Sequence, residues 1–303
     1  MEEEQMLPYL DPARIHELLP YPDAVAALRQ AQADGPPAVA APPRTAVAAA
    51  GGHMLLMPAG DEHMFGVKIA GVAPANPAHQ LPRITGTYLL HDATTLLPVL
   101  AIDGPALTLL RTAALSALAV DVLAAPAATK LLVYGTGPQA AAHVEAMQAI
   151  RDFRTISVAG RTAESTCAFA RNHDLGQAGP DSLPAADVVV CCTSSATPLF
   201  DGTRLATHST VVAMGSHTLD ARELDTDTLR GAQVVVEDSA TAAREAADVA
   251  DAINTGDLDC TIPLHAVLSG QTPVDHDRRR VFRSVGMAWE DLVIAKALHA
   301  ATS

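Results

Sequence analysis

Three features of the 303-residue sequence predict an α/β protein built from two unlike parts. Lys130–Ile150, KLLVYGTGPQAAAHVEAMQAI, passes from a short apolar run through a glycine-rich turn into a helical pattern. Arg154–Ala159 and Ala163–Arg171 then repeat the order strand, turn, helix, as a βαβ nucleotide domain of the Rossmann type requires. The N-terminal third carries several candidate strands and few helices, which predicts an α+β domain.

Along the chain, Asp11 is a helix cap for a segment reaching Leu19, and Asp23 for a second from Ala24 to Ala33. GPPAVAAPPRT is held extended by its prolines and leads into TAVAA. Further strands are predicted at His53–Met57, Met64–Ala70, Ile84–His91 and Pro98–Ile102, divided by glycine, proline or Asp-Ala turns. Pro105–Leu123 turns helical and bridges into the nucleotide domain.

At the centre of that domain, Leu131–Tyr134 is a buried parallel strand. Gly135 permits the tight turn, Gly137 admits a pyrophosphate close to the backbone, and Ala140 keeps the helix close to the strand. The free N–H groups of a helix starting near Gln139 then meet the phosphates, with Thr136 and Pro138 in the same turn. The second strand ends in Gly160, Arg161 and Thr162. An NAD site places a carboxylate there to hold the ribose, whereas an NADP site offers an arginine to the 2′-phosphate. The absence of an acid and the presence of Arg161 favour NADPH, with NADH possible. Ala186–Cys192, Val211–Met214 and Val234–Val236 predict further central strands. Thr193 and Ser194, and Met214 and Gly215, then lie at the carboxyl edge where open α/β sheets bind ligands.

Composition sets the class. Hydrophobic residues make up 49% of the chain, and the mean hydropathy is +0.18, which suits two domains with real cores. A formal charge of −14, with no basic patch, argues against nucleic acid or an anionic membrane as partner. No window holds the roughly 18 unbroken apolar residues of a membrane span, and the acidic MEEEQ start is unlike a targeting peptide, so the cytoplasm is the expected location. Cys167, Cys191, Cys192 and Cys260 lack paired spacing and are expected to be reduced core residues. The 12 histidines show no ligand spacing, and no metal is expected.

Arg44, Lys68 and Arg111 stand in otherwise apolar surroundings, PPRTA, FGVKIAG and LLRTAAL. A charge buried there needs an anion. Either a substrate carboxylate meets them, with the arginines as a bidentate clamp, or each pairs with a structural Asp or Glu.

Taken together, PPR (Pro42–Arg44), MLLMPA (Met54–Ala59), GVKIAG (Gly66–Gly71), LRTAALSALA (Leu110–Ala119), GTGPQA (Gly135–Ala140), RELD (Arg222–Asp225) and VFRSVGMAWEDL (Val281–Leu292) resemble the ornithine cyclodeaminase and mu-crystallin family in order, over nearly the whole chain. The resemblance implies a substrate-binding and dimerisation domain at residues 1–113, completed by 286–303, and a dinucleotide domain at 114–285. It implies a homodimer. It further implies that Arg44, Lys68 and Arg111 line the substrate site, with Met57 and Thr87 nearby, and that Ser284–Met287, including Gly286, closes over the nicotinamide.

Cyclodeaminases of this family carry Asp two residues after the glycine that ends the later strand; here Gly215 is followed by Ser216 and His217. Members that reduce cyclic ketimines also depart from Asp and keep a D-x-R-E-L-D segment like Asp220–Asp225. The expected activity is therefore NAD(P)H-dependent reduction of a cyclic imine carboxylate, Δ1-pyrroline-2-carboxylate or Δ1-piperideine-2-carboxylate. Lys68 or His217 would supply the proton. Ornithine or lysine cyclodeamination, an alanine-type dehydrogenase and a non-catalytic nucleotide-binding protein remain open.

Overall fold

The computed structural model describes residues 6–33, 41–216 and 218–302. They fall into two compact units, divided within two helices, between Ala31 and Gln32 and between Arg111 and Thr112, and again between Gly286 and Met287.

The first unit opens with β1 (Tyr9–Leu10), α1 (Pro12–Leu18) and α2 (Tyr21–Ala33). Asp11 caps α1, its side chain accepting from the Arg14 N–H. The second helix starts at Tyr21, ahead of the expected cap at Asp23, which lies in its first turn. Pro22 is tolerated there because first-turn N–H groups have no helical partner. Strands β2 (Thr45–Ala49), β3 (Gly52–Gly60), β4 (Met64–Val72), β5 (Ile84–Asp92) and β6 (Pro98–Asp103) follow, then α3 (Gly104–Leu123). The sheet order is β1-β6-β5-β4-β3-β2, antiparallel except for β1 with β6. Met57, Ala59, Lys68, Tyr88, Leu90, Leu100 and Ile102 share one buried face. Lys68 is the one charged residue among these seven. Edge strand β2 is exposed along all five residues.

By length and composition α3 would pass as a membrane span, with a mean hydropathy of 1.7, but 72% of that window is buried within the protein. A core helix buried all round reads the same way.

The second unit continues with β7 (Lys130–Tyr134), α4 (Pro138–Ile150), β8 (Thr155–Ala159), α5 (Ala163–Asn172), β9 (Gly176–Gln177), α6 (Ser182–Ala185) and β10 (Val188–Cys191). Next come β11 (Thr210–Ala213), α7 (Thr226–Leu229), β12 (Gln233–Val236), α8 (Ser239–Glu245), α9 (Ala247–Thr255), β13 (Ile262–Pro263), α10 (Leu264–Leu268) and β14 (Arg280–Arg283). The chain returns to the first unit as α11 (Ala288–Thr302). The sheet is parallel throughout, in the order β13-β12-β14-β11-β10-β7-β8-β9. Strands β10, β11, β12 and β14 are buried at every residue, as parallel strands covered on both faces are.

Strand β10 is shorter than the expected Ala186–Cys192; just ahead of it the Asp187 carboxylate accepts from the N–H groups of Thr129 and Lys130 at 2.8 and 2.9 Å. Cys191 and Cys192 are buried, and burial pushes their thiols well up. Contrary to expectation, Cys260 is exposed and Cys167 half-buried.

Candidate active site

In the second unit, the order of strands reverses between β7 and β10, so the ligand crevice of such a sheet lies at their carboxyl ends. Gly135 has φ +130° there, and a Cβ on it would stand 2.7 Å from the Cys192 carbonyl oxygen. Gly137, the N-cap of α4, has no side-chain cap, and open space surrounds the position its Cβ would take. Pro138 is in the first turn, which has no acidic residue. The buried Gln139 Oε1 has no partner among the described residues. An uncapped N-terminus of a 13-residue helix, open to approach and free of acids, fits a pyrophosphate. Arg161 is exposed beyond β8, and Thr162 caps α5 by accepting from the Ser165 N–H.

The other expected cofactor residues are tied to two glutamates that the sequence did not single out. Fully buried Glu223 accepts at Oε1 from the Thr193 N–H and Oγ1, both at 2.7 Å, and at Oε2 from the N–H groups of Met214 at 3.1 Å and Gly215 at 2.7 Å. Desolvation pushes its carboxyl up, while these bonds pull the other way. At the end of β12, Glu237 Oε1 accepts from Ser284 Oγ at 2.5 Å and from the N–H groups of Val285 and Gly286 at 3.2 and 3.1 Å. The Ser284 hydroxyl and the Gly286 amide, expected to face the cofactor, each donate to Glu237. Ser194 is exposed, and His217 lies outside the described residues.

In the first unit, a charged cluster forms where β4, α3 and α11 meet. Lys68 and Arg111 are 4% and 7% exposed; Glu290 and Asp291 are fully buried. Lys68 Nζ lies 3.0 and 2.8 Å from the two carboxylate oxygens of Asp291 and 3.3 Å from Thr108 Oγ1. Arg111 Nη1 donates to Glu290 Oε2 at 2.6 Å, and its Nε is 3.4 Å from Asp291 Oδ1. Glu290 Oε1 also accepts from the Met287 N–H at 2.7 Å, capping the start of α11. Two cations face two carboxylates. Of the two partners that the sequence left open, the structure supplies in-chain acids for Lys68 and Arg111, and both come from WED in α11, where the same rule about charge in apolar surroundings would have found them.

Burial lowers the Lys68 ammonium below its ordinary 10.5, and Arg111 lowers it further, against the pull of Asp291. Met57 pairs across β3 with Lys68 and shares its face. Thr87 does not: it pairs with Ile69, and successive side chains alternate across a strand, so it points from the opposite face. Arg44 is half-buried immediately before β2, whose first residue Thr45 pairs with Leu56.

Residues 13–303 match the model of the ornithine cyclodeaminase/mu-crystallin family. The chain belongs to that family. Among its members, the Δ1-pyrroline-2-carboxylate/Δ1-piperideine-2-carboxylate reductase of Azospirillum brasilense is 37% identical over 303 residues, covering 96% of this chain and 94% of that protein. The Δ1-pyrroline-2-carboxylate reductase 2 of Burkholderia ambifaria is 35% identical over 300 residues, with 96% and 94% covered. The solved Δ1-pyrroline-2-carboxylate reductase of Thermococcus litoralis, in complex with NADH and L-proline, matches with a TM-score of 0.89 over 98% of this chain and 97% of that one. At 22% identity that likeness concerns the fold.

Proposed function

We propose that this member of the ornithine cyclodeaminase/mu-crystallin family reduces the C=N bond of a cyclic imine carboxylate, Δ1-pyrroline-2-carboxylate or Δ1-piperideine-2-carboxylate, with NAD(P)H. The observation that carries the proposal is Lys68, a buried ammonium of lowered pKa held by Asp291. The bound reduced nicotinamide supplies the hydride. Lys68 Nζ holds the proton that the imine nitrogen must gain, and its lowered pKa brings it nearer to working pH. Asp291 and Thr108 fix the direction of that ammonium. Arg111, already ion-paired with Glu290 and oriented by it, and Arg44 offer guanidinium N–H donors to a substrate carboxylate. Gly135, Gly137 and the start of α4 hold the pyrophosphate.

The test follows absorbance of the reduced nicotinamide with cyclic imine acids, 2-oxo acids plus ammonia, and ornithine. Oxidation with the imines alone is expected. Turnover of ornithine, or a demand for ammonia, would replace the proposal with a cyclodeaminase or an amino-acid dehydrogenase.

NADPH is the preferred donor in this proposal, since exposed Arg161 follows β8 where an NAD site would offer a carboxylate. Arg161→Ala is expected to weaken NADPH by about 1.5 kcal/mol, roughly tenfold, and NADH hardly at all. Equal weakening of both, or a wild type that binds NADH more tightly, contradicts it.

We also propose a homodimer. It is supported by the exposed edge strand β2 and by exposed Val47 and Met54, which pair across β2 and β3, an apolar edge that a lone chain rarely leaves open. Light scattering should give twice the 31.4 kDa of the chain, and a stable 31.4 kDa species at micromolar concentration would refute it.

A further inference from the structure

We infer that Glu223 is a positioning residue for the dinucleotide, one carboxylate that fastens the loops after β10 and β11 to each other at the ligand edge of the sheet. The inference rests on the proposed NAD(P)H chemistry.

The bonding pattern admits little else. Glu223 sits in the coil before α7, yet its side chain is wholly buried and takes four hydrogen bonds, two at each oxygen. Three of the four donors are backbone N–H groups, which cannot turn round to accept. The first pair belongs to Thr193, directly after Cys192, whose carbonyl limits Gly135 to glycine. The second belongs to Met214 and Gly215, directly after β11. The approach is close: a Cβ on Gly215 would lie 1.7 Å from the Thr193 carbonyl oxygen and 2.8 Å from Glu223 Oε1. Two loops drawn this near, without a side chain on Gly215, hold their shape through the carboxylate between them.

Strands β10 and β11 lie on one side of β7, and β8 and β9 on the other. In a doubly wound sheet the two halves take the two mononucleotides. The first half, with Gly137 and Arg161, takes the adenosine part. Glu223 therefore shapes the half that meets the nicotinamide nucleotide, and touches the reacting atoms only through Thr193, Met214 and Gly215.

Glu223→Gln retains shape but offers one acceptor oxygen and one NH2 group, so one of the two loops meets a donor with a donor. Glu223→Asp retains the charge but is one methylene too short to span both loops. Titration by nicotinamide fluorescence should show each variant binding the reduced dinucleotide at least tenfold more weakly than wild type. Binding of the adenosine half alone (2′,5′-ADP for NADPH, AMP for NADH) should change less than twofold. A merely structural role would move both ligands together, or neither. Equal affinity of wild type and the Asp variant for the dinucleotide overturns the inference, as does equal weakening of both ligands. A wild type that binds no reduced dinucleotide instead overturns the cofactor assignment, and the inference with it. If the Gln variant does not fold, the Asp variant decides.

Discussion

Lys68→Met is expected to lower kcat by about a hundredfold to ten-thousandfold, the range a positioned general acid contributes. The substitution also leaves the cluster with one cation, Arg111, against Glu290 and Asp291, both fully buried. An uncompensated buried charge costs about 3–5 kcal/mol, so lost activity alone would not separate chemistry from folding. Lys68→Met combined with Asp291→Asn restores neutrality. That double variant should regain most of the lost thermal stability while its kcat stays low. Lys68→Arg should not rescue kcat, because a guanidinium holds its proton too tightly to give it up. In the wild type, kcat for imine reduction should fall as pH rises through the Lys68 pKa, below 10.5, because the protonated ammonium is the active form. A double variant with kcat within threefold of wild type, or a wild-type rate that rises with pH over that limb, removes Lys68 as the acid.

The second large effect concerns stability. Arg283 and Asp248 are both fully buried, with Arg283 Nε 2.8 and 2.9 Å from the two carboxylate oxygens. Nη2 also donates to the Ser216 carbonyl at 2.8 Å and hydroxyl at 2.7 Å. Asp248→Asn or Arg283→Met should each destabilise by about 3–5 kcal/mol, lowering Tm by roughly 6–20 °C. The double variant Arg283→Met, Asp248→Asn should lose less than the two single losses combined, because both remove one shared interaction. Thermal melts showing strict additivity, or losses under 1 kcal/mol, would show that the pair contributes little.

The contrast between what the sequence revealed and what it hid follows from range. The turn Gly135–Ala140 was legible because its chemistry is local: a strand, two glycines and a helix start within a few residues. Lys68 and Arg111 were legible because a charge in an apolar segment is costly wherever the chain goes. Their partners Glu290 and Asp291 obey the same rule, but they are 223 residues from Lys68 and 179 from Arg111, and no local pattern pairs them. Glu223 and Glu237 were hidden because their partners are mostly backbone amides, which every residue but proline offers. The side on which Thr87 lies depends on strand register, and one residue of shift reverses it. Strand β14 was missed because RVFR carries two arginines in four residues. The structure buries both: Arg280 donates to the carbonyl oxygens of Leu123, Arg278 and His208, and Arg283 to Asp248.

That strand also bears on how the protein is made. Strand β14 lies between β11 and β12, pairing with each along four residues, although about seventy residues of chain separate it from β11. Until residues 280–283 leave the ribosome, β11 and β12 have no neighbour on their facing edges, and the sheet stays in two pieces with a slot between them. Pairings of such long sequence separation close slowly, and open edges invite wrong partners meanwhile. The nucleotide fold should therefore form late and all at once, and a nascent chain stalled before Arg280 should be held by chaperones or degraded, not released with half a sheet.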